Sequence, residues 1–329
     1  MTKILKEELI KALASGDFIS GQILGEQLGV SRMAISKHIN TLSNMGLDVF
    51  RITGKGYKLA QPLNLLNQNE IKNTLSQYQK YNDIEVHTMI DSTNDYLMRR
   101  LADQNSDELR QGQVCIAEYQ HAGRGRRGKQ WISPFGSHIY LSMYWQLEQG
   151  LSAAMGLSLV TALAVSDAIK KLFDIKVQFK WPNDIYLDGV KMAGILIDLE
   201  GQVSGVSHSV IGIGLNLQMP EKSATAIDQP WTDLQSHSAK KIDRNKLCAA
   251  LINCLIERLN SHQTQGLHAM VDEWHQQDIF FNKSVNLITG GRVTSGISRG
   301  INHQGALMLE VMGKVKPIYG GEVSLRAGY

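Results

Sequence analysis

The sequence predicts an α+β protein of several domains: an N-terminal winged helix-turn-helix, a central mixed-sheet α/β domain and a small C-terminal β-barrel. Three observations support this prediction. The chain has 329 residues and 43% of them are hydrophobic, which is more than one small module needs. Apolar residues follow helical spacing near the N-terminus, and the middle alternates strands with helices. Short alternating strands then dominate the last fifty residues. We expect domains over residues 1–65, 66–276 and 277–329.

Composition excludes several classes of protein. The 34 Lys plus Arg residues nearly balance the 31 Asp plus Glu residues, leaving a net charge of +3, so any contact with nucleic acid depends on local charge. No apolar run approaches the roughly 18 residues that span a membrane. The first ten residues interleave Lys with Glu and do not resemble a secretory signal. We therefore expect a cytoplasmic protein with no membrane partner.

The cysteines predict reduced thiols. Cys115, Cys248 and Cys254 are odd in number, lack CxxC spacing and lie among apolar residues, which argues against a disulfide framework or a zinc site. No metal-binding residues are predicted in this chain.

The first element is a helix-turn-helix. Residues 4–13 and 20–28 have helical spacing, and a third helix follows from Ser31, a suitable N-cap, to Met45. Gly29 supplies the turn before that helix. Helix, short helix, glycine turn and helix is the order of a helix-turn-helix. The polar side of the third helix is predicted to face DNA, through Ser31, Arg32, Ser36, Lys37 and Asn40.

A hairpin completes this first domain. Strands over residues 49–53 and 57–59 flank Gly54-Lys55-Gly56, and Lys55 at the tip suits contact with the DNA backbone.

Charge favours DNA binding for this domain over a bundle used only for packing or protein contact. Residues 1–62 contain eight Lys plus Arg against five Asp plus Glu, which equals the net charge of the whole chain. No carboxylate occurs between Gln27 and Leu47, so the proposed surface does not repel phosphate.

The central domain contains a glycine- and arginine-rich loop. A strand over residues 112–119 leads into Gly123-Arg124-Gly125-Arg126-Arg127-Gly128-Lys129. Backbone N–H groups freed by glycine, with guanidinium groups between them, suit an anion of several oxygens such as a triphosphate. Such a segment cannot bury a core, so we expect a loop that is mobile on its own. The alternative is a basic patch for RNA or solubility.

A strand over residues 177–181 leads into Lys180-Trp181-Pro182-Asn183-Asp184, a polar and rigid run that indicates a site. Asn183 and Asp184 offer ligand contacts, and Lys191 begins the next apolar strand. Most lysines at strand ends are solvated, so spacing alone leaves the role of Lys191 open.

Four motifs occur in order: Asp91-Ser92-Thr93-Asn94, the GRGRRG loop with Trp131 and Ser133-Pro134-Phe135-Gly136, KWPND, and KMAGIL from Lys191. Together they resemble the family of biotin–protein ligases and biotin operon repressors over nearly the whole chain. The N-terminal helix-turn-helix indicates the regulatory class. The sequence departs from the family at Lys129, where Arg is more common, and Lys keeps the charge but loses the bidentate fork.

The resemblance implies a two-step reaction. Biotin and ATP give biotinyl-5′-AMP and pyrophosphate, and the biotinyl group then passes to a lysine of the biotin carboxyl carrier protein of acetyl-CoA carboxylase. ATP with Mg²⁺ is the implied cofactor. Because a carboxylate must approach a phosphate, cations must offset their repulsion, and we expect Lys191 and Arg126 to do so. In the second step Asp184 is a candidate to orient or accept a proton from the carrier amine, or else to bind substrate or cap backbone amides.

The resemblance also assigns the ligand contacts. Neutral side chains match the donors and acceptor of a ureido ring, although Ser92, Thr93 and Asn94 also suit a helix N-cap. The implied biotin residues are Ser92, Thr93, Asn94, Gln120, Arg124, Gly125, Arg126 and Lys191. The implied adenylate residues are Arg127, Lys129, Asn183, Asn216, Trp231 and Arg326.

The C-terminal part contains a helix from Asp243 to Leu259 and then short strands, separated by glycines, which predict a small barrel. The strands are expected at residues 284–288, 292–297, 306–311 and 315–318. The resemblance implies an SH3-like cap there. It also implies that biotinyl-5′-AMP is a corepressor: the loop folds onto it, a homodimer forms, and two helix-turn-helix units bind operator half-sites. The carrier protein would compete for the same surface.

Two other functions remain open. A ligand-sensing transcription factor without ligase chemistry would not need four cations around biotin. A lipoate or octanoate ligase would activate a carboxylate but would not need hydrogen bonds for a ureido ring.

Overall fold

The computed structural model describes residues 2–76, 83–103, 108–148, 154, 156–201, 205–289, 291–319 and 323–327. Its helices are α1 (Thr2–Leu13), α2 (Gly21–Leu28), α3 (Arg32–Leu42), α4 (Gln68–Thr74), α5 (Thr93–Ala102), α6 (Leu157–Phe173), α7 (Glu221–Ala224), α8 (Arg244–Gln265) and α9 (Val271–Gln277). Its strands are β1 (Val49–Ile52), β2 (Gly56–Leu59), β3 (Ile84–His87), β4 (Val114–Ala117), β5 (His138–Leu147), β6 (Gln178–Lys180), β7 (Asp184–Leu187), β8 (Val190–Gly201), β9 (Ser207–Asn216), β10 (Ser284–Thr289), β11 (Arg292–Ile301), β12 (Leu307–Val311), β13 (Lys314–Ile318) and β14 (Val323–Ala327).

The N-terminal unit has the predicted helix-turn-helix with a hairpin. Ser20 and Ser31 cap α2 and α3, since their hydroxyls accept hydrogen bonds from backbone N–H groups three residues later, at 3.1 and 3.2 Å. Gly29 has the predicted left-handed conformation, with φ 66°. The third helix ends at Leu42, three residues earlier than expected, and one 3-10 turn continues to Met45.

A seven-stranded sheet forms the centre, in the order β3-β4-β5-β9-β8-β7-β6. The pair β3 and β4 is parallel and the other pairs are antiparallel, so the predicted mixed sheet is confirmed. Side chains of β5 alternate between two cores. Ile139 and Leu141 pack in the core that contains α6 and α8, whereas Tyr144 packs with Leu97 of α5.

The C-terminal strands form a five-stranded antiparallel sheet in the order β13-β12-β11-β10-β14. The four predicted strands are present, and β14 is an additional one. Among the described strands β13 and β14 are the two edges, so the pairing shows an antiparallel sheet and does not by itself show the expected closed barrel.

A buried ion pair joins the linker after the hairpin to the central domain. Glu118 Oε2 lies 2.6 Å from Arg244 Nη1, and only 4% and 3% of their side chains are exposed. Arg244 also donates to the carbonyls of Asn64 and His138, at 2.9 and 2.8 Å, and Glu118 accepts from the N–H of Leu66. The linker is thus held by charged groups withdrawn from water.

A loop of the central domain enters the N-terminal core. Phe135 is 1% exposed and packs among the apolar residues of α1 to α3. Its N–H donates to the carbonyl of Met45 at 2.8 Å. The segment that follows the arginine-rich loop is therefore part of the packing of the helix-turn-helix.

The cysteine prediction is confirmed, because Cys115, Cys248 and Cys254 are buried and unpaired. Burial raises the pKa of Cys248 to about 12 and that of Cys254 to about 11, which keeps both protonated at neutral pH.

Among the described helices, none is both long and apolar enough to cross a lipid bilayer.

We predict that Arg244→Ala lowers the free energy of unfolding by about 3–5 kcal/mol, because it leaves the Glu118 carboxylate buried without its partner. Urea unfolding followed by tryptophan fluorescence measures this change. Lys246→Ala is the control: its side chain is 68% exposed, its ion pair with Asp243 is 3.9 Å long, and we expect a change within about 0.5 kcal/mol. Equal unfolding midpoints for the two variants would contradict the prediction.

Candidate functional site

A cavity of about 490 Å³ brings together the motifs of the central domain. Strands β7, β8 and β9, the start of α5 and the arginine-rich segment all contribute to its wall. Twelve of the predicted ligand and catalytic residues line it: Ser92, Thr93, Asn94, Gln120, Arg124, Gly125, Arg126, Arg127, Lys129, Asn183, Asp184 and Lys191. Residues spread over a hundred positions of sequence thus meet at one site.

One part of the cavity is lined by neutral hydrogen-bonding groups. Gln120 Oε1 accepts from the N–H and the hydroxyl of Thr93, at 2.9 and 3.2 Å. Ser142 Oγ lies 2.7 Å from Thr93 Oγ1 and 2.6 Å from Asn94 Oδ1. Ser92 caps α5, since its hydroxyl accepts from the N–H of Asp95. Ser92 therefore both caps α5 and lines the cavity, so the two interpretations of this motif are compatible.

The ring of Trp131 packs against Gly194 and Gly214, which we call the glycine floor. A Cβ atom on Gly214 would lie 2.5 Å from Cε2 of Trp131, and one on Gly194 would lie 3.0 Å from Cζ3. Both Trp131 and these glycines line the cavity. The indole N–H is buried with no hydrogen-bond partner within the described parts of the chain. Trp131 belongs to one of the predicted motifs but was not among the predicted ligand contacts.

The arginine-rich segment forms a short turn that one backbone bridge closes at its base. We call residues 124–130 the arginine hairpin. Arg124 and Gln130 form an antiparallel bridge at its base, and Gly125 N donates to the carbonyl of Lys129 at 2.7 Å. A 3-10 turn over Arg126–Gly128 forms its tip. Local backbone hydrogen bonds therefore define the shape of this segment.

The cations of the cavity have specific partners. Lys191 Nζ lies 2.8 Å from Asp184 Oδ1 and 5.7 Å from the centre of the Trp131 ring. Arg126 Nη1 donates to Asn183 Oδ1 at 2.8 Å. Burial, followed by the charge of Arg127, lowers the pKa of Arg126. A crowded positive site of this kind is stabilised by an incoming anion.

Arg124 is held by two carboxylates that the sequence analysis did not identify. Its Nη2 atom lies 2.6 Å from Asp95 Oδ1 and 2.6 Å from Asp198 Oδ2. Burial lowers the pKa of Arg124, but Asp198 and Asp95 outweigh burial and raise it. The sequence feature that could have indicated this ion pair was the carboxylate of Asp198 in the mostly apolar strand β8.

Comparison with known proteins identifies the family. Residues 86–216 match the sequence model of the biotin/lipoate A/B protein ligase family, residues 6–58 match an HTH domain, and residues 280–326 match the biotin protein ligase C terminal domain. The chain is 47% identical over 320 residues to the bifunctional ligase/repressor BirA of Escherichia coli strain K12, covering 97% of each chain. The chain belongs to the BirA family of bifunctional ligase/repressors.

A second relative agrees with this assignment, and a solved structure shares the fold. The BirA of Bacillus subtilis strain 168 is 30% identical over 328 residues, which cover 99% of this chain and 100% of that one. The structure of the biotin protein ligase from Aquifex aeolicus in complex with biotin and ATP superposes with a TM-score of 0.63. It is 24% identical and covers 75% of this chain and 100% of that chain, which shows a shared fold.

Two residues assigned to the adenylate by the family resemblance, Asn216 and Trp231, are not among the described residues that line the cavity. Asn216 is 5% exposed, and its amide donates to the carbonyl of Thr232 at 3.1 Å. Trp231 forms a backbone bridge with Lys191, next to the lining residues Gln229 and Pro230. Arg326 lies on β14, where the structure describes the backbone but not the side chain.

Most of the predicted DNA-facing residues are exposed. Arg32, Lys37 and Asn40 are exposed on α3, and Lys55 is exposed at the tip of the hairpin. Ser36 is half-buried and the hydroxyl of Ser31 serves as the cap of α3. Met33, which the sequence analysis did not select, is 83% exposed beside Arg32 and suits contact with a thymine methyl group.

We predict that Gly214→Ala weakens biotin binding by roughly 10- to 100-fold, because overpacking at the glycine floor displaces the Trp131 ring. Titration calorimetry with biotin measures the affinity, and circular dichroism checks the fold. Adding Trp131→Phe provides a smaller ring and is expected to recover part of the lost affinity. Wild-type affinity in Gly214→Ala would show that this contact does not shape the pocket.

Proposed function

We propose that this chain activates biotin with ATP to give biotinyl-5′-AMP and transfers the biotinyl group to a lysine of a biotin carboxyl carrier protein. With biotinyl-5′-AMP bound, it dimerises and represses transcription of biotin biosynthesis genes. The single observation that carries this proposal is the cavity, where neutral groups for a ureido ring adjoin the cations Arg126, Arg127 and Lys191. The family names of its relatives, ligase and repressor together, support both activities.

The first step requires two anions to meet. The biotin carboxylate attacks the α-phosphate of ATP, which enters as its magnesium complex, and pyrophosphate leaves. Lys191 bridges the carboxylate and the α-phosphate oxygens, while Arg126 and Arg127 stabilise the phosphate charge. Each well-placed donor contributes about 3 kcal/mol to such a transition state. Lys191 is restrained for this task by Asp184 and by the ring of Trp131.

The two halves of the ligand occupy different parts of the cavity. Biotin is bound by Ser92, Thr93, Asn94 and Gln120, beside the backbone of Gly125. The adenylate is bound by Arg127, Lys129 and Asn183. Trp231 covers the nucleotide, Asn216 positions Trp231 through Thr232, and Arg326 supplies a further phosphate contact.

The second step needs a neutral amine. The ammonium of the carrier lysine must lose its proton before it attacks the acyl phosphate anhydride. Asp184 orients that amine and accepts its proton, since its carboxylate lines the cavity within 2.8 Å of Lys191 Nζ.

The domains divide these tasks. We take residues 1–65 as the DNA-binding domain, 66–276 as the ligase domain and 277–329 as an SH3-like cap. The cap contacts the ligase domain where Trp181 Nε1 donates to the carbonyl of Gly305 at 3.0 Å. ATP as a substrate and three reduced thiols favour a cytoplasmic location.

We predict that the protein catalyses biotin-dependent exchange of labelled pyrophosphate into ATP, and that Lys191→Ala lowers kcat by about 10²- to 10³-fold. Radiolabel incorporation at saturating substrate measures the rate. Lys176→Ala removes an exposed lysine outside the cavity lining and is expected to leave the rate unchanged. Absence of exchange would favour a sensor without ligase chemistry, and exchange with lipoate alone would favour a lipoate ligase.

We predict that biotinyl-5′-AMP tightens both self-association and binding to the promoter DNA of the biotin genes, because the ordered ligand-bound surface forms the dimer. Sedimentation equilibrium with and without the adenylate measures the first effect, and fluorescence anisotropy with labelled duplex measures the second. Biotin alone at the same concentration is the control. A monomer at all adenylate concentrations would contradict this mechanism.

A further inference from the structure

One apolar side chain lies on the exposed side of α3, the third helix of the N-terminal unit. The structure describes every residue of α3, and four of them are exposed: Arg32, Met33, Lys37 and Asn40. Three others are buried in the core: Ile35, Ile39 and Leu42. Met33 is 83% exposed and is the one apolar residue in the exposed group. The packing of the domain therefore does not explain this side chain.

Helical geometry places Met33 in line with two of the polar residues. Met33, Lys37 and Asn40 have the spacing i, i+4, i+7, which forms one stripe along a helix. At about 100° per residue, this stripe lies opposite the buried side of α3. Met33 is also the second residue of α3, just after the cap Ser31. The first residues of a recognition helix are the ones that reach base edges in the major groove.

The neighbouring Arg32 is directed to a different side of the domain. A Cβ atom on Gly21 would lie 3.3 Å from Cγ and 3.7 Å from Nε of Arg32, so the arginine side chain runs over the start of α2. The first helix of a helix-turn-helix crosses the DNA backbone, which gives the Arg32 guanidinium a phosphate partner. The two adjacent residues therefore have different tasks: Arg32 suits the backbone, and Met33 faces the groove.

An apolar side chain at this place gains nothing from contact with phosphate. No Asp or Glu occurs between Gln27 and Leu47, so the surface attracts DNA through its cations, and Met33 interrupts that positive charge. The apolar group that base pairs present in the major groove is the C5 methyl group of thymine. The methionine side chain is unbranched and flexible, and it adapts its packing to a small apolar partner.

We propose that Met33 is a specificity-determining residue that recognises one thymine in each operator half-site by apolar contact with its C5 methyl group. This inference rests on the proposed repressor function and adds to it one base of the recognised sequence. The loss of one buried methyl group lowers affinity about fourfold.

The test replaces each thymine of a bound duplex in turn with deoxyuridine, which lacks the C5 methyl group. The duplex is one that the full-length protein, with biotinyl-5′-AMP bound, selects from a random pool, and fluorescence anisotropy at fixed salt measures affinity. At one thymine of a half-site, deoxyuridine is expected to weaken wild-type binding about fourfold and to leave binding by Met33→Ala unchanged. No loss at any thymine, or equal losses for both proteins at every thymine, would overturn the proposal.

Two variants control for the loss of an exposed methionine and for the loss of an apolar contact. Met312→Ala removes a side chain that is 98% exposed on the C-terminal sheet, and it is expected to keep the wild-type dependence on the thymine methyl group. Met33→Leu retains an apolar side chain and is expected to keep that dependence as well. The proposal is overturned if Met312→Ala abolishes the dependence or if Met33→Leu behaves as Met33→Ala does.

Lys55→Ala separates specificity from general affinity. Lys55 is exposed at the tip of the hairpin, and its loss is expected to weaken binding to every duplex by the same factor. Met33→Ala, in contrast, is expected to bind the deoxyuridine duplex as tightly as wild type does. Uniform weakening by Met33→Ala over all duplexes would assign Met33 to the DNA backbone and overturn the proposal.

The outcomes also distinguish this inference from the proposed function. If the wild-type protein with biotinyl-5′-AMP selects no DNA sequence, the repressor assignment fails and the role of Met33 fails with it. If the protein selects a sequence but no thymine depends on Met33, the repressor assignment stands and only the role of Met33 is overturned.

Discussion

The repulsion between two negatively charged reactants is the constraint that organises this site. Arg126 and Arg127 come from the arginine hairpin and Lys191 from β8, and the fold brings all three to one cavity. Concentrated positive charge is unstable unless partners hold it in place. Asp184 restrains Lys191 and Asn183 restrains Arg126, at 2.8 Å each, so the cations are already oriented and little reorganisation is needed when substrates arrive.

The neutral part of the cavity has a different task, which is to bind an uncharged group. A ureido ring carries no charge, and its binding depends on matched donors and acceptors away from water. Ser92, Thr93 and Asn94 begin α5, so the geometry of a helix start fixes their side chains. Asp198 contacts both Asn94 and Arg124 and connects the neutral and charged halves of the site.

Local sequence signals predicted much of the fold and most of the cavity lining. Capping serines, turn glycines and alternating strands identified the helix-turn-helix and most strands, and motif residues such as Gln120 and Lys191 do line the cavity. The strand order of the central sheet and the pairing of Arg124 with Asp198 could not be predicted, because they join residues far apart in sequence. Asn216 lies beyond the lining, and its amide instead donates to the carbonyl of Thr232.

The insertion of Phe135 into the N-terminal core makes the helix-turn-helix and the ligase domain interdependent. A chain shortened by removal of its first 65 residues would present this ring to water, next to the side chains of Met89 and Tyr119 that also pack against that core. An exposed hydrophobic patch of this kind promotes aggregation. An evolutionary or engineered route to a stand-alone enzyme from this chain therefore needs a polar replacement at Phe135.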